Sequence, residues 1–320
     1  MSKKNEVMIQ HKASFKAELK AHKWLYFMII PGVLYMLIFR YLPMLGLAMA
    51  FEDFSPYNGE TAVQAILQSP FVGLDVFKKF LTGPDFFRLL RNTLAISITS
   101  LIFFFPAPII LALLLNEIRS MGFKRVTQTM VYIPHFISFV IVASLTQQLF
   151  STTDGIVYHI LETILGRGNA PDFMSDPDLF VPLIVGQNMW KETGYGTIIF
   201  LAALSGVDVQ LYEAADIDGA NRWKKMWHIT LPAIRSTIVI MLILKVGQIL
   251  NTGYEQIFLM QNSMNRAVSD VFDTYIYTKG VVQGNYSLAT AAGMFKSIVS
   301  LIMVLGANKL AKKFGESGFY

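Results

Sequence analysis

Apolar residues gather in six long runs along the chain, at about residues 24–45, 93–115, 129–150, 181–207, 236–253 and 288–308. A helix needs about 20 mostly apolar residues to cross roughly 30 Å of hydrocarbon. The pattern therefore predicts an all-α bundle of six transmembrane helices. The first run follows a polar stretch, is longer than a signal-peptide core and lacks a small-x-small cleavage site before Arg40, so it reads as a retained anchor. These boundaries give a basic tail at 1–23, a transmembrane domain at 24–310 containing a polar loop at 208–235, and a second tail at 311–320.

The distribution of charge sets the orientation, because cytoplasmic loops are enriched in Lys and Arg. With the N-terminus inside, the inner segments carry 16 basic residues in 76 positions, and the outer ones carry 7 in 111 together with 13 acids. Both termini are expected in the cytoplasm. The net charge of +5 then follows from topology, with Lys3, Lys4, Lys12, Lys16, Lys20 and Lys23 reading as a topology determinant and lipid-surface segment. No basic stripe interleaved with aromatic residues calls for nucleic acid.

Composition agrees: 53% of residues are apolar and only 15% charged, with mean hydropathy +0.46. The absence of Cys excludes disulfide scaffolds, Cys-ligated metals and thiol catalysis. The five histidines (His11, His22, His135, His159, His228) form no H-E-x-x-H or paired arrangement, so no metal is expected. Asp216-x-Asp218-Gly219 is better explained as a helix ending than as a calcium loop. No G-x-x-x-x-G-K-[ST] occurs, so the chain is not expected to hydrolyse ATP, and no catalytic residue is assigned.

Residues 71–92 place Phe and Leu at helical spacing and end in an Asn92-Thr93 helix-start signal. They predict either an amphipathic helix lying on the outer face or a loop helix covering the bundle. Pro31, Pro106, Pro108 and Pro134 fall inside or near spans, where each removes a backbone hydrogen bond and bends its helix.

The fourth span carries polar residues at its centre, in GQNMWKETGYG, residues 186–196. Charge at that depth costs about 3 kcal/mol per group on insertion scales and normally faces a polar interior. Lys191 and Glu192 are about 100° apart on an ideal helix. They share a face only if the helix unwinds near Gly194 and Gly196. The fifth span adds Lys245, Gln248 and Asn251, followed by Tyr254 and Glu255. Positions 248, 251 and 255 recur at helical spacing and define one stripe. Rings that stack on pyranose faces, beside amides and carboxylates that meet hydroxyls, are what a sugar path needs. The candidate path is Asn188, Trp190, Lys191, Glu192, Tyr195, Gln248, Asn251 and Glu255. Each of these equally fits a helix-to-helix contact.

In the polar loop, Asp208 reads as an N-cap, residues 211–218 as a two-turn helix, and Gly219 as the residue that turns the chain. Asn221 caps a second short helix and Pro232 opens the next span. Small side chains at Ala214 and Ala215 let another protein approach closely, with Glu213 available at the rim.

Glu213-Ala214-Ala215, then Gly219, then Ile229-x-Leu231-Pro232 match E-A-A-x3-G-x9-I-x-L-P at every specified position. This resembles the EAA loop of ABC-importer permeases. FVGLDVFKKF, RNTL, YIPHFIS, GQNMWKETGYG and SLATAAGMFKS extend the resemblance over most of 24–310, towards the polysaccharide-type branch of maltose-type sugar permeases. The resemblance implies that Glu213, Ala214, Ala215, Asp218, Gly219, Ile229, Leu231 and Pro232 form a coupling element seated in a separate ATP-binding subunit. It further implies two such subunits carrying ATP and Mg, a second homologous permease in a heterodimer, an extracytoplasmic solute-binding protein, an oligosaccharide substrate and a multi-pass location in the bacterial cytoplasmic (inner) membrane. It maps the sugar path to Trp190, Glu192, Tyr195, Gln248 and Asn251. An ion-coupled carrier and a membrane-embedded enzyme are the alternatives, but residues 24–150 and 181–308 show no internal repeat, and Lys191 with Glu192 is the one pair an enzyme would have to use. Three intramembrane lysines (Lys191, Lys245, Lys296) against Glu192 point to an anionic glycan such as a uronate-bearing oligosaccharide, or simply to lysines at helix interfaces.

Overall fold

The computed structural model describes residues 21–166, 168–313 and 315. All but residues 21–23 of the basic N-terminal tail, and most of the 311–320 tail, lie outside the described residues. Among the described residues every regular element is helical, with one isolated bridge between Glu52 and Phe71 in place of any strand. Three helices are long and apolar enough to cross a membrane: Lys23–Phe51, Phe86–Asn116 and Tyr286–Lys313. Three further pairs qualify when each bent pair counts as one span, which gives up to six crossings. These pairs are Met121–Phe136 with Phe139–Phe150, Pro177–Ser205 with Val209–Ile217, and Arg222–Ala233 with Arg235–Gly247.

Proline and capping chemistry explain where the helices break. The third apolar run bends by 97° after Pro134, where Ser138 starts a new helix by accepting a hydrogen bond from the Ile141 N–H. A serine N-cap satisfies one of the donors that a fresh helix start leaves orphaned. Pro106 and Pro108 act more gently. A π-turn at Ser100–Phe104 precedes them, and the helix continues through Asn116. Pro31 lies within Lys23–Met36 without interrupting it.

The 71–92 stretch differs from its expected form. It splits into a short helix, Asp75–Leu81, and the beginning of the second span at Phe86, so Asn92-Thr93 lies inside a helix and starts none. Its aromatic residues divide between the two sides, with Phe71 and Phe87 exposed and Phe80 turned inward. Phe80 and Leu89 are buried with Phe272, Leu288 and Ala292, and Phe80 meets Phe86 edge to face at 5.4 Å. Asn92 is also buried, its amide donating to the backbone oxygens of Ala267 and Asp270 at 2.9 Å each. An unpaired amide at that depth would cost the full desolvation of the group, and these two carbonyls make the site a fixed clamp.

Small residues let the long helix Pro177–Ser205 approach its neighbours. A Cβ on Gly194 would coincide with the carbonyl group of Val131, so this helix meets Met121–Phe136 backbone to backbone. Gly196 likewise faces Pro108. Close backbone approach through small residues is the usual basis of helix association in lipid, where apolar burial supplies little net drive.

Candidate functional site

Pro177–Ser205 runs unbroken through Gly194 and Gly196, contrary to the unwinding that a shared face for Lys191 and Glu192 was expected to require. The two side chains meet all the same, with the Lys191 Nζ 3.0 Å from the Glu192 Oε1. Long flexible side chains on adjacent positions reach across the angle between them. Lys191 also donates to the His135 carbonyl oxygen at 2.6 Å, closing one of the backbone acceptors left open where the third span breaks. His135 Nδ1 lies 2.7 Å from the Glu192 Oε2, and Tyr195 stacks on the imidazole. The pairing of His135 with Glu192 spans 57 residues of sequence, and no local motif announces it.

Position on this helix sorts the remaining polar groups. Residues four apart share a face, and Asn188 and Glu192 both line an internal cavity of about 400 Å³. Gln187 instead turns into the protein, donating to the Thr146 Oγ1 at 2.7 Å and accepting from the Gln256 amide at 2.8 Å. Trp190 and Tyr195 are about half exposed and lie outside the cavity lining. Lys191 is buried and also lies outside it.

Gln248, Asn251 and Glu255 all line the same cavity, but no continuous helix carries them. The fifth span was expected to be helical to residue 253. Its helix ends at Gly247, and the chain is irregular until Tyr254–Met260 begins. Gly253 has φ +87°, and the Thr252 N–H donates to the Asp273 Oδ2 at 3.0 Å, where a helix would have used a carbonyl four residues back. Asp273 is held in turn by Lys296. Irregular backbone at membrane depth is tolerated where protein or water satisfies it, and here a carboxylate does so beside the cavity. Ser97, Ser100, Phe104, Phe139, Lys245 and Tyr254 complete much of the wall. The serines and Lys245 were not among the expected path residues. They come from separate spans, and only the crossing of those spans brings them together.

The exposed polar loop forms a tight elbow. Asp208 caps the helix Val209–Ile217 by accepting from the Gln210 N–H at 2.9 Å. Gly219 takes φ +72° and ends it, where its N–H bonds to Asp216 and the Ala220 N–H to Ala215. Asn221 caps the following helix through the Lys224 N–H at 2.9 Å. Glu213, Ala214, Asp218 and Gly219 are exposed, and Ala215 is partly exposed. Asp216 is engaged by the Lys225 Nζ at 2.7 Å, and Tyr212 shares a hydrogen bond of 3.0 Å with Thr230, so the first limb of the elbow is tied to the second. A cleft between them is lined by Ala215, Ala220, Lys224, Lys225, His228 and Ile229. Pro232 does not open the next span: it sits beside Leu231 in the second limb, and the chain bends by 59° at Ile234 before Arg235–Gly247 starts. The last three residues of the limb follow a π-turn at Met226–Thr230, which lets the chain accommodate a residue without an N–H.

The elbow therefore joins two of the helices that line the cavity. Pro177–Ser205, with Asn188 and Glu192, turns into it by 71°, and Arg235–Gly247, with Lys245, leaves it.

The profile described as binding-protein-dependent transport system inner membrane component matches residues 104–315. Protein LplB of Bacillus subtilis (strain 168) is 54% identical over 307 residues, which cover 96% of this chain and 94% of that one. The polygalacturonan/rhamnogalacturonan transport system permease protein YteP of the same organism is 50% identical over 298 residues, covering 93% and 90%. A chain in the crystal structure of a bacterial alginate ABC transporter, in complex with alginate pentasaccharide-bound periplasmic protein, matches with a TM-score of 0.84 at 38% identity, covering 95% of this chain and 99% of that one.

Proposed function

The chain belongs to the family of binding-protein-dependent transport system inner membrane components, and on that premise we propose that it passes fragments of an acidic polysaccharide through the cavity beside Glu192 and Gln248. It is a permease subunit of a sugar-importing ABC transporter and not an enzyme; ATP turnover belongs to a separate subunit. The named relatives for polygalacturonan and alginate handle polymers of uronic acids, which supports the acidic substrate class. The cavity volume falls within the roughly 300–1,000 Å³ of small-molecule sites.

One observation carries the mechanism: the exposed elbow is continuous with two of the helices that line the cavity, Pro177–Ser205 and Arg235–Gly247. Two ATP-binding subunits, carrying ATP and Mg, grip Val209–Ile217 through Glu213, Ala214 and Ala215. Their closure drives the elbow, which moves Pro177–Ser205 and Arg235–Gly247 as a unit held by the Lys225–Asp216 and Tyr212–Thr230 contacts. Asp218, Gly219, Ile229, Leu231 and Pro232 fix the shape of that elbow. Opening offers Asn188, Glu192, Gln248, Asn251 and Glu255 to the sugar, while Lys191 holds the bend at His135. Trp190 and Tyr195 extend the path beyond this chain's own cavity.

Each bent pair contributes one crossing to a six-span subunit in the bacterial cytoplasmic membrane, with both termini in the cytoplasm and the elbow limbs Val209–Ile217 and Arg222–Ala233 at its cytoplasmic face. A second homologous permease and lipid cover the exposed apolar face of Lys23–Met36, in which no residue is buried. A solute-binding protein delivers the saccharide from outside.

Labelling tests the topology directly. Because the chain has no cysteine, Glu213→Cys is a unique target for a membrane-impermeant maleimide. Modification is expected in inside-out vesicles and not in intact cells; labelling from outside contradicts the coupling role. Uptake of galacturonate oligosaccharides by the reconstituted complex is expected to require ATP, the ATPase and the binding protein. Uptake without the ATPase rejects the proposed mechanism.

A further inference from the structure

We infer that Lys245 is the group that receives a saccharide carboxylate in the cavity and so sets the charge the cavity admits. This rests on the transport reading above and names the residue through which it selects. Of the three lysines in apolar helices, two are committed elsewhere. Lys191 is held by the His135 carbonyl oxygen and Glu192, and Lys296 by Asp273. Lys245 lines the cavity. Its ammonium lies 5.1 Å from the centre of the Phe104 ring, and no carboxylate of the described residues comes within ion-pairing distance of it. It is the cavity's one lysine or arginine among the described residues.

The two acids on the same wall do not cancel that role. Glu192 is paired with Lys191 and contacts His135, and although its field reaches Lys245 it makes no ion pair with it. Glu255 is exposed and lies beyond the irregular segment 248–253, at the start of the next helix. A carboxylate there accepts hydrogen bonds from sugar hydroxyls, as do the Gln248 and Asn251 amides. The lining thus presents a single cation beside several hydroxyl-binding groups, which matches a sugar bearing one carboxylate among many hydroxyls. The ring of Phe104 beneath the ammonium holds it without neutralising it. Nothing in the spacing of the fifth span singles out Lys245 from Lys191 or Lys296; their partners do.

The test compares ATP-driven uptake of a galacturonic acid trisaccharide with uptake of its carboxyl-reduced counterpart, which has the same shape without the charge. The complete complex is reconstituted with wild-type, Lys245→Gln or Lys245→Arg permease. Wild type is expected to favour the acidic sugar. Lys245→Gln should reduce that preference on the order of tenfold or more, the scale of a lost hydrogen bond to a charged group. Lys245→Arg should keep it. An unchanged preference in Lys245→Gln overturns the assignment while leaving the transport reading intact. Equal loss of both sugars in Lys245→Gln and Lys245→Arg makes Lys245 a packing residue and likewise overturns it. If wild type itself imports neither sugar, the transport reading fails, and this inference with it.

Discussion

His135 and Tyr195 lie face to face, their ring centroids 3.8 Å apart and their planes 3° from parallel. The stack joins the end of Met121–Phe136 to the middle of Pro177–Ser205, at the point where the chain turns by 97°. Replacing His135 with Ala removes both this stack and the Nδ1 contact to Glu192. We expect the thermal stability of the purified permease complex to fall by about 1–2 kcal/mol, with Tyr195→Phe, which keeps the ring, losing much less. Equal melting of all three proteins would show that the bend is held by other contacts.

Gly219 occupies a left-handed conformation with open space around the position of a Cβ. The penalty for a side chain is therefore conformational, about 1–2 kcal/mol for most residues and less for Asn. Gly219→Asp is expected to reach the membrane yet lose transport and co-purify poorly with the ATPase, while Gly219→Asn retains more of both. Normal uptake by Gly219→Asp contradicts the role given to the elbow.

Gly194 and Gly186 stand on the same helix in opposite surroundings. A Cβ at Gly194 meets the Val131 carbonyl, whereas one at Gly186 meets nothing within 4 Å. Gly194→Ala should destabilise the permease by about 1–3 kcal/mol through overpacking. Gly186→Ala should be neutral or stabilising by about 0.5–1 kcal/mol. Comparing the two melting temperatures checks whether close helix contact, and not helix propensity, explains the glycine.

Gln248 and Asn251 face the cavity from an irregular segment. Substituting either with Ala should raise the apparent KM for saccharide uptake about fivefold, the scale of a lost neutral hydrogen bond of about 1 kcal/mol, while the ATPase still co-purifies. If KM is unchanged for each sugar tried, these amides serve helix packing instead.

Much was determined by the sequence alone, because some signals are local. Apolar run length marked the long helices, and the caps at Asp208, Asn221 and Gly219 placed the elbow within a residue or two, since each cap acts on the backbone two to four positions away. The E-A-A-x3-G spacing then carried the family. Only tertiary structure decided which polar residues meet. Asn188 and Gln187 are neighbours in sequence, yet one lines the cavity and the other binds Thr146 and Gln256, because a helix turns adjacent side chains to different surroundings. Likewise the fifth span stops at Gly247, and beyond it Asp273, held by Lys296 from the last span, satisfies the Thr252 N–H that a continued helix would have bonded internally. Hydropathy measures what a segment loses by leaving water; it carries no record of which carboxylate another helix will bring to its backbone.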